Sequence, residues 1–257
     1  MGTSILISFD EVHYRNISDL RVSPISLGSV KFGRNTNVKY PKPFDLPSKE
    51  QTEKLVSVAQ DLGINLIDTA PAYGSSELRI GELLKGRRQN WLISTKVGEI
   101  YDGESHYDFS APHVRRSIYH SLQQLQTDYL DIALIHCSDD DLKDLKTTDA
   151  ITEILKLQTD GYIRKVGAST KTLSGSLFAL EAMDVVMVEA DELGEWGKAA
   201  TTTGPLMIKK ALQSGHSKNF FEGIRSVLSY SQVSTVVVGT INEKHLIENV
   251  ENAINAV

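Results

Sequence analysis

The sequence predicts an α/β protein in which eight parallel strands close into a (β/α)8 (TIM) barrel. Eight short runs rich in Val, Ile and Leu recur along the chain, and helix-like patterns separate them. Runs that are apolar at consecutive positions indicate strands buried on both faces, as in a parallel sheet. The chain has 257 residues, and one such barrel typically occupies roughly 250. We therefore expect a single domain over residues 1–257.

The predicted strands are short apolar runs bounded by turn or polar residues. They are residues 24–30, 64–68, 91–95, 129–136, 163–169, 184–189, 205–210 and 234–239. An open, doubly wound sheet is the alternative arrangement of the same units. No strand is followed by the G-x-G-x-x-G pattern of a dinucleotide-binding doubly wound sheet, which favours the barrel.

The predicted helices begin at polar capping residues, and the first of them opens on Ser48 and closes on Gly63. A sixth helix within residues 190–204 is expected to be short or frayed, because glycines interrupt it. Residues 5–12 are predicted as an extra strand that pairs with residues near 17–22 in a short N-terminal β-hairpin. The other helices are predicted at residues 48–63, 76–86, 111–126, 149–161, 173–183, 220–230 and 242–256.

Composition and charge exclude several classes of partner. The net charge is −6 and there is no basic block, which speaks against nucleic-acid binding. The only cysteine is Cys137, so no internal disulfide or multi-cysteine metal site is expected. No run approaches the roughly 20 apolar residues of a membrane span, and the N-terminus lacks the basic region of a secretory signal. We expect a cytoplasmic protein without membrane partners, either a monomer or a small homo-oligomer.

Four polar side chains follow three neighbouring predicted strands at their carboxyl ends, which is where the active sites of such barrels lie. Asp68 ends the second strand, Tyr73 lies in the loop after it, Lys96 follows the third strand and His136 ends the fourth. Taken singly, each has an ordinary structural explanation in a turn, a solvated strand end or a hydrogen-bonded core. Taken together, they converge on one mouth of the barrel.

These residue types suit the protonation of a carbonyl group. A phenol has an ordinary pKa of about 10 and is a poor proton donor at pH 7. A nearby ammonium stabilises the phenolate, and a carboxylate paired with that ammonium keeps it charged and in position. An imidazole can orient the carbonyl oxygen by hydrogen bonding. The set favours reduction of an aldehyde or ketone, with a nicotinamide as the hydride donor.

Several segments, in the same order, resemble the aldo-keto reductases. They are VSPISLGSVKFG, GINLIDTAPAYGSSELRIGELL, ISTKVG, DYLDIALIHCSD and VVVGTINEKHLIENV. The resemblance implies an NADPH-dependent oxidoreductase acting on a small carbonyl substrate, with NADH as the alternative cofactor. It also implies that Tyr73 is the general acid, that Lys96 and Asp68 tune its pKa, and that His136 orients the carbonyl.

The resemblance further implies a cofactor site on the same face of the barrel. The segment that starts at Gly239 resembles the loop and helix start that grip an adenosine 2′-phosphate, and helix N-termini bind phosphate readily. Capping of the last helix is an equal alternative for Asn242. The cofactor-binding candidates are Gly28, Ser29, Ser169, Thr170, Lys209, Ser214, Gly239, Thr240, Asn242, Lys244, His245 and Asn249.

The chain departs from the family pattern where the nicotinamide is held. Ser169-Thr170 stands where members commonly have Ser-Asn, and threonine lacks an amide that both donates and accepts. Lys209 stands where many members have an aromatic residue. A barrel that binds the cofactor poorly and has a regulatory or binding role is therefore the alternative function.

A third hypothesis is metal-assisted hydrolysis at the segment HCSDDD, with His136, Asp139 and Asp140 as ligands. The acids lie in a polar run with no second histidine nearby. A solvated loop is the favoured interpretation, and no metal site is predicted.

Overall fold

The computed structural model describes residues 12–40, 42–196, 204–211 and 220–254. Eight parallel strands form a closed barrel in sequence order, and the last pairs with the first. Each overlaps one of the predicted apolar runs, so the predicted (β/α)8 barrel is confirmed. The strands in chain order are β1 (Arg15–Ile17), β2 (Leu20–Val22), β3 (Ile25–Gly28), β4 (Leu66–Asp68), β5 (Leu92–Val97), β6 (Glu99–Tyr101), β7 (Ser105–Tyr107), β8 (Leu130–His136), β9 (Ile163–Ser169), β10 (Val185–Glu189), β11 (Leu206–Lys209) and β12 (Val233–Val238). The barrel consists of β3–β5 and β8–β12.

Helices connect the barrel strands and cover the outside of the barrel. They are α1 (Val30–Gly33), α2 (Lys49–Asp61), α3 (Ser76–Leu83), α4 (Ala111–Leu125), α5 (Asp141–Thr147), α6 (Ala150–Thr159), α7 (Leu173–Leu180), α8 (Leu193–Trp196), α9 (Phe220–Leu228) and α10 (Glu243–Ile254). Of the connection after β10, the described residues hold a 3₁₀ turn (Ala190–Glu192) and α8, where the sixth helix was expected. Residues 197–203 lie outside the described structure. No helix in the described part of the chain is both long and apolar enough to cross a membrane.

A short N-terminal hairpin covers one end of the barrel. The predicted N-terminal hairpin is present, but its two strands, β1 and β2, pair antiparallel within residues 15–22. Of the strand predicted at residues 5–12, only Val12 lies within the described residues, and it is not in a strand. Ile17, Leu20 and Val22 pack into the interior cluster of the barrel. The Ser234 hydroxyl donates to the carbonyl of Asn16 (2.6 Å) near the start of β12. Because the hairpin closes the amino ends of the strands, the carboxyl ends form the open mouth.

The main core lies between the barrel and its helices. One isoleucine from each of α3, α4 and α6, namely Ile80, Ile118 and Ile154, has no solvent exposure and packs in this layer. Full burial of such a side chain contributes about 1.5–3 kcal/mol. α2 begins with a capping box, in which Ser48 Oγ accepts from the Gln51 amide (3.2 Å) and the Gln51 side chain accepts from the Ser48 amide (2.8 Å). The predicted Ser48 cap is therefore present.

A β-hairpin and a helix at the mouth were not predicted from the sequence. β6 and β7 form an antiparallel hairpin directly after β5, and α5 follows β8. Gly98 makes the turn into the hairpin with φ of +109°, and a Cβ there would lie 2.4 Å from the Phe109 ring. β7 is exposed throughout, so its sequence carries no apolar alternation from which a strand could be predicted.

Candidate active site

A buried ion pair between Asp68 and Lys96 lies at the carboxyl ends of β4 and β5. The Lys96 ammonium donates to both carboxylate oxygens (2.9 and 2.7 Å) and to the carbonyl of Thr69 (2.8 Å). Asp68 is 3% exposed and Lys96 is 1% exposed. Burial opposes the charged form of Lys96, but Asp68 and Tyr73 outweigh it and hold the pKa of Lys96 above its ordinary value. Lys96 is therefore an ammonium ion at neutral pH.

A chain of serine hydroxyls holds Asp68 in place. Ser94 donates to Oδ1 of Asp68 (3.0 Å), while the amide and hydroxyl of Ser29 donate to its main-chain carbonyl (2.9 and 2.8 Å). The Ser76 hydroxyl lies 2.7 Å from that of Ser29. Ser29, which was predicted to contact the cofactor, therefore helps to hold the Asp68–Lys96 ion pair in position.

Tyr73 ends a 3₁₀ turn (Pro71–Tyr73) that follows β4. Its ring centroid lies 4.9 Å from Nζ of Lys96. α1 packs closely on this turn, and a Cβ on Gly33 would lie 2.3 Å from the Tyr73 carbonyl. Burial raises the pKa of Tyr73, and the Lys96 ammonium acts in the opposite direction without cancelling it. At neutral pH the side chain is therefore a protonated phenol beside a cation.

His136 ends β8 and faces Tyr73 across the mouth. The two ring centroids are 6.5 Å apart and the rings are nearly perpendicular. Nδ1 of His136 lies 2.8 Å from a carboxylate oxygen of Glu99. Burial lowers the pKa of His136, and the opposing effect of Glu99 does not restore it. The imidazole is consequently neutral at pH 7.

Three of the predicted cofactor contacts meet on the other side of the mouth. The Lys209 ammonium donates to the Ser169 hydroxyl (3.0 Å) and to the Thr170 carbonyl (2.9 Å). Burial lowers the pKa of Lys209 to about 8, with the neighbouring Lys210 adding to the effect and Glu189 opposing it. Lys209 therefore links the ends of β9 and β11 and retains mainly its charged form at pH 7.

The N-terminus of α10 is capped by Asn242. Its side-chain oxygen accepts from the amides of Lys244 (2.9 Å) and His245 (3.4 Å), which supports the capping alternative. Gly239 lies under Tyr40, and a Cβ there would be 2.6 Å from the Tyr40 hydroxyl. Ser214 lies outside the described residues. Three further candidates are buried, namely Gly28, Thr240 and Asn249.

The acidic loop after β8 is engaged in local contacts. Asp139 pairs with Lys171, and Asp140 is exposed at the start of α5. Among the described residues there is no group of three or more His, Cys, Asp or Glu side chains that could hold a metal ion.

Glu99 lies in the candidate active site and was not predicted from the sequence. It belongs to the unpredicted β6, yet its carboxylate lies against His136 and its side chain is only 10% exposed. Burial opposes its ionisation, but His136, Ser105 and Arg34 hold the pKa of Glu99 at about 2. The one signal in the sequence is an acid that follows Gly98, three residues after Lys96.

Comparison with protein families gives a match over most of the chain. The sequence profile of the Aldo/keto reductase family matches residues 24–191. This range begins just before β3 and includes Asp68, Tyr73, Lys96 and His136. It ends within the short connection after β10, so β11, β12 and the last helices lie beyond the match.

Solved structures of similar architecture cover nearly the whole chain. A Pseudomonas aeruginosa protein assigned to the aldo-keto reductases is 40% identical, with a TM-score of 0.89 and 99% of each chain covered. An aldo-keto reductase from Bacillus halodurans in its holo form is 21% identical, with a TM-score of 0.77 and 94% of this chain and 90% of that chain covered. The second likeness concerns the fold alone.

Curated relatives match a smaller part. L-galactose dehydrogenase of Arabidopsis thaliana is 32% identical over 169 residues, which are 63% of this chain and 49% of that protein. D-arabinose 1-dehydrogenase of Saccharomyces cerevisiae is 35% identical over 156 residues, 58% of this chain and 43% of that protein. The matched part of this chain spans about half the length of these relatives.

Proposed function

Because the chain belongs to the aldo/keto reductase family, we propose that it is an NADPH-dependent oxidoreductase that interconverts a small aldehyde or ketone and the corresponding alcohol. The observation that carries this proposal is the buried contact of Lys96 with both Asp68 and the ring of Tyr73. A cation held in a dry site has little use in packing alone, because its desolvation is costly. It does have a use beside a phenol that must release and regain a proton.

In this proposal Tyr73 is the catalytic acid in the direction of reduction. The neighbouring ammonium stabilises the phenolate that remains once the proton has moved to the carbonyl oxygen. Asp68 keeps Lys96 charged and directed at this position, and the serine hydroxyls around Asp68 hold the pair in one geometry. In the reverse direction the phenolate accepts the proton of the alcohol.

The residues present fit a nicotinamide dinucleotide, which when bound would supply or accept the hydride. Gly28 ends β3 and Gly239 follows β12. The Tyr40 hydroxyl covers Gly239 in this structure, so a dinucleotide that approached this backbone would displace Tyr40. Ser169, Thr170 and Lys209 offer hydroxyl, carbonyl and ammonium groups to the carboxamide. Lys244 in the first turn of α10 would place a positive charge near a 2′-phosphate, with His245 beside it, and a helix N-terminus favours an anion.

Substitution of Tyr73 by Phe tests the catalytic proposal. The reaction is followed by NADPH absorbance on a panel of simple aldehydes, ketones and aldoses, the aldoses because two relatives are named as sugar dehydrogenases. Loss of a general acid is expected to lower kcat by about 10²–10⁴-fold with the affinity for NADPH unchanged. Equal turnover by Tyr73→Phe, or no turnover by the unaltered protein on any member of the panel, would contradict the proposal.

A cofactor-binding-impaired barrel with a regulatory role is the second candidate. One observation favours it: the Lys209 ammonium already occupies the Ser169 hydroxyl and the Thr170 carbonyl, two groups that a nicotinamide carboxamide would need. Titration of NADPH against tryptophan fluorescence separates the candidates without turnover. Saturable binding below the millimolar range supports the reductase, whereas no saturation supports the regulatory barrel.

A further inference from the structure

Lys209 is a cation at the mouth of the barrel that the proposed proton transfer does not use. It ends β11, and it is the one residue of that strand that keeps some exposure, since Leu206–Ile208 are buried. Its ammonium donates to the Ser169 hydroxyl (3.0 Å) and to the Thr170 carbonyl (2.9 Å). Both acceptors are uncharged, so these bonds hold the ammonium in place without neutralising it.

The two carboxyl groups that act most on Lys209 leave its charge largely uncompensated. Glu189, its cross-strand neighbour on β10, forms its ion pair with Lys210. Glu192 accepts from the Glu189 amide (3.4 Å), and burial raises the pKa of Glu192, which disfavours its charged form. Burial, together with Lys210 and Lys96, lowers the pKa of Lys209 to about 8. Because this value lies above 7, the ammonium persists at neutral pH.

Strand register places this charge close to the proposed catalytic groups. Ser169 on β9 is the cross-strand partner of His136 on β8, and the Lys209 ammonium is bonded to Ser169. The His136 ring lies 6.5 Å from the Tyr73 ring, measured between centroids. Lys209 also contributes to the lowered pKa of His136, after burial and Lys96. The charge of Lys209 therefore acts where the proposed function holds the carbonyl group.

A hydride donor has to share this space with the substrate. Direct hydride transfer requires the nicotinamide ring to lie in contact with the carbonyl carbon, at roughly 3–3.5 Å between the reacting atoms. A carbonyl group bonded to Tyr73 therefore brings the ring into the mouth, within reach of the Lys209 charge. The ring is uncharged in NADPH and carries a positive charge in NADP⁺. A fixed ammonium beside it repels the oxidised form alone.

We propose that Lys209 makes this site discriminate between the two redox states of its cofactor, so that NADPH binds more tightly than NADP⁺. The inference rests on the proposed function, because it needs a nicotinamide in the mouth. The two forms carry the same phosphates and adenine, so contacts at α10 do not separate them. Weaker binding of NADP⁺ favours its release once the alcohol has formed. Lys209 is thus a specificity-determining residue that suits the site to carbonyl reduction more than to alcohol oxidation.

Calorimetric titration of the full chain with NADPH and with NADP⁺ measures both dissociation constants. Lys209→Gln removes the charge and keeps a hydrogen-bond donor. We expect it to lower the ratio of Kd for NADP⁺ to Kd for NADPH by about 5- to 50-fold, the effect of one unit charge that acts across a cleft. Lys244→Gln, which removes the same charge from the first turn of α10, should leave the ratio unchanged. An unchanged ratio in Lys209→Gln, or an equal change in both variants, would overturn the inference.

A second measurement needs no variant and is therefore independent of any folding defect. As the pH rises through about 8, Lys209 loses its proton, and the repulsion of NADP⁺ is lost with it. Between about pH 6.5 and about pH 9.5 the Kd ratio of the unaltered protein should fall, with NADP⁺ gaining affinity. Glu189, Glu192, Lys210 and Lys96 also act on Lys209. They are all present in Lys209→Gln, whose ratio should stay constant and so accounts for their own titration. A ratio that does not change with pH in the unaltered protein would overturn the inference.

The inference and the proposed function fail in different experiments. Since binding is measured without turnover, a protein that shows the expected ratios and reduces no member of the carbonyl panel would overturn the reductase and support the role of Lys209. A protein that reduces the panel, with equal ratios before and after Lys209→Gln, would overturn the inference alone. No saturation with either form of the cofactor would overturn both.

Discussion

Replacement of Lys96 by Met should destabilise the protein far more than the loss of an ordinary surface lysine. The side chain is 1% exposed, and its ammonium donates three hydrogen bonds, two of them to Asp68. Met has a similar shape and is apolar, so the substitution leaves the Asp68 carboxylate buried with Ser94 as its remaining side-chain donor. Removing one partner of a buried ion pair costs about 3–5 kcal/mol, because the other charge is left uncompensated.

The size of the effect can be separated from general damage by a double-mutant cycle. Asp68→Asn removes the complementary charge, and Lys96→Met together with Asp68→Asn leaves no buried charge at this position. Since replacing both members of a buried pair is often close to neutral, the double variant should be more stable than Lys96→Met alone. The two residues touch, so a coupling energy of about 1–3 kcal/mol is expected between them.

Urea unfolding at pH 7, followed by far-ultraviolet circular dichroism, measures these free energies. The matched control is Lys49→Met, whose ion pair with Glu82 is exposed and should be worth about 1 kcal/mol or less. The pKa of Lys96 is raised in the folded protein, so its contribution is complete below the ordinary lysine pKa of about 10.4 and is lost only at higher pH. If Lys96→Met and Lys49→Met cost the same at pH 7, the buried-pair reasoning is wrong.

Two further predictions concern the mouth of the barrel. Gly98→Ala and Gly103→Ala both place alanine at a positive φ (+109° and +119°), but only Gly98→Ala adds a Cβ 2.4 Å from the Phe109 ring. Gly98→Ala should therefore lower the free energy of unfolding in urea by about 1–3 kcal/mol more than Gly103→Ala. Equal losses would show that the Phe109 ring moves aside at no cost. The pKa of Glu99 is held at about 2 in the folded protein, below the ordinary value of about 4.3. The ionised Glu99 side chain therefore stabilises the folded protein fully above about pH 5, and this contribution is lost as the pH falls towards 2. Glu99→Gln should therefore lose less unfolding free energy between pH 5 and pH 3 than the unaltered protein, and parallel curves would contradict this.

Much of the fold could be predicted from the sequence because barrel strands and their helices leave local periodic signals. Strands buried on both faces are continuous apolar runs, and all eight barrel strands overlap the predicted runs. The capping serine Ser48 marked the residue at which α2 begins. The β6–β7 hairpin left no such signal, because neither strand buries a face in the core.

The residue types of the candidate site were also visible in the sequence, since Asp68, Tyr73, Lys96 and His136 follow neighbouring strands whose ends must meet at one mouth. Their roles remain proposals. The sequence could not predict whether burial or the neighbouring charge has the larger effect on the pKa of Tyr73. In the structure, desolvation raises this pKa more than the adjacent Lys96 ammonium lowers it.

By itself, the sequence determined the eight apolar runs that become barrel strands and the set of polar residues at their ends, since each is a local pattern. Only the tertiary structure decided that Ser29 supports Asp68, that Lys209 bonds to Ser169 and Thr170, and that Glu99 lies against His136. These contacts join residues 37 to 40 positions apart. Their distances follow from how strands and loops pack in space, which no local pattern specifies.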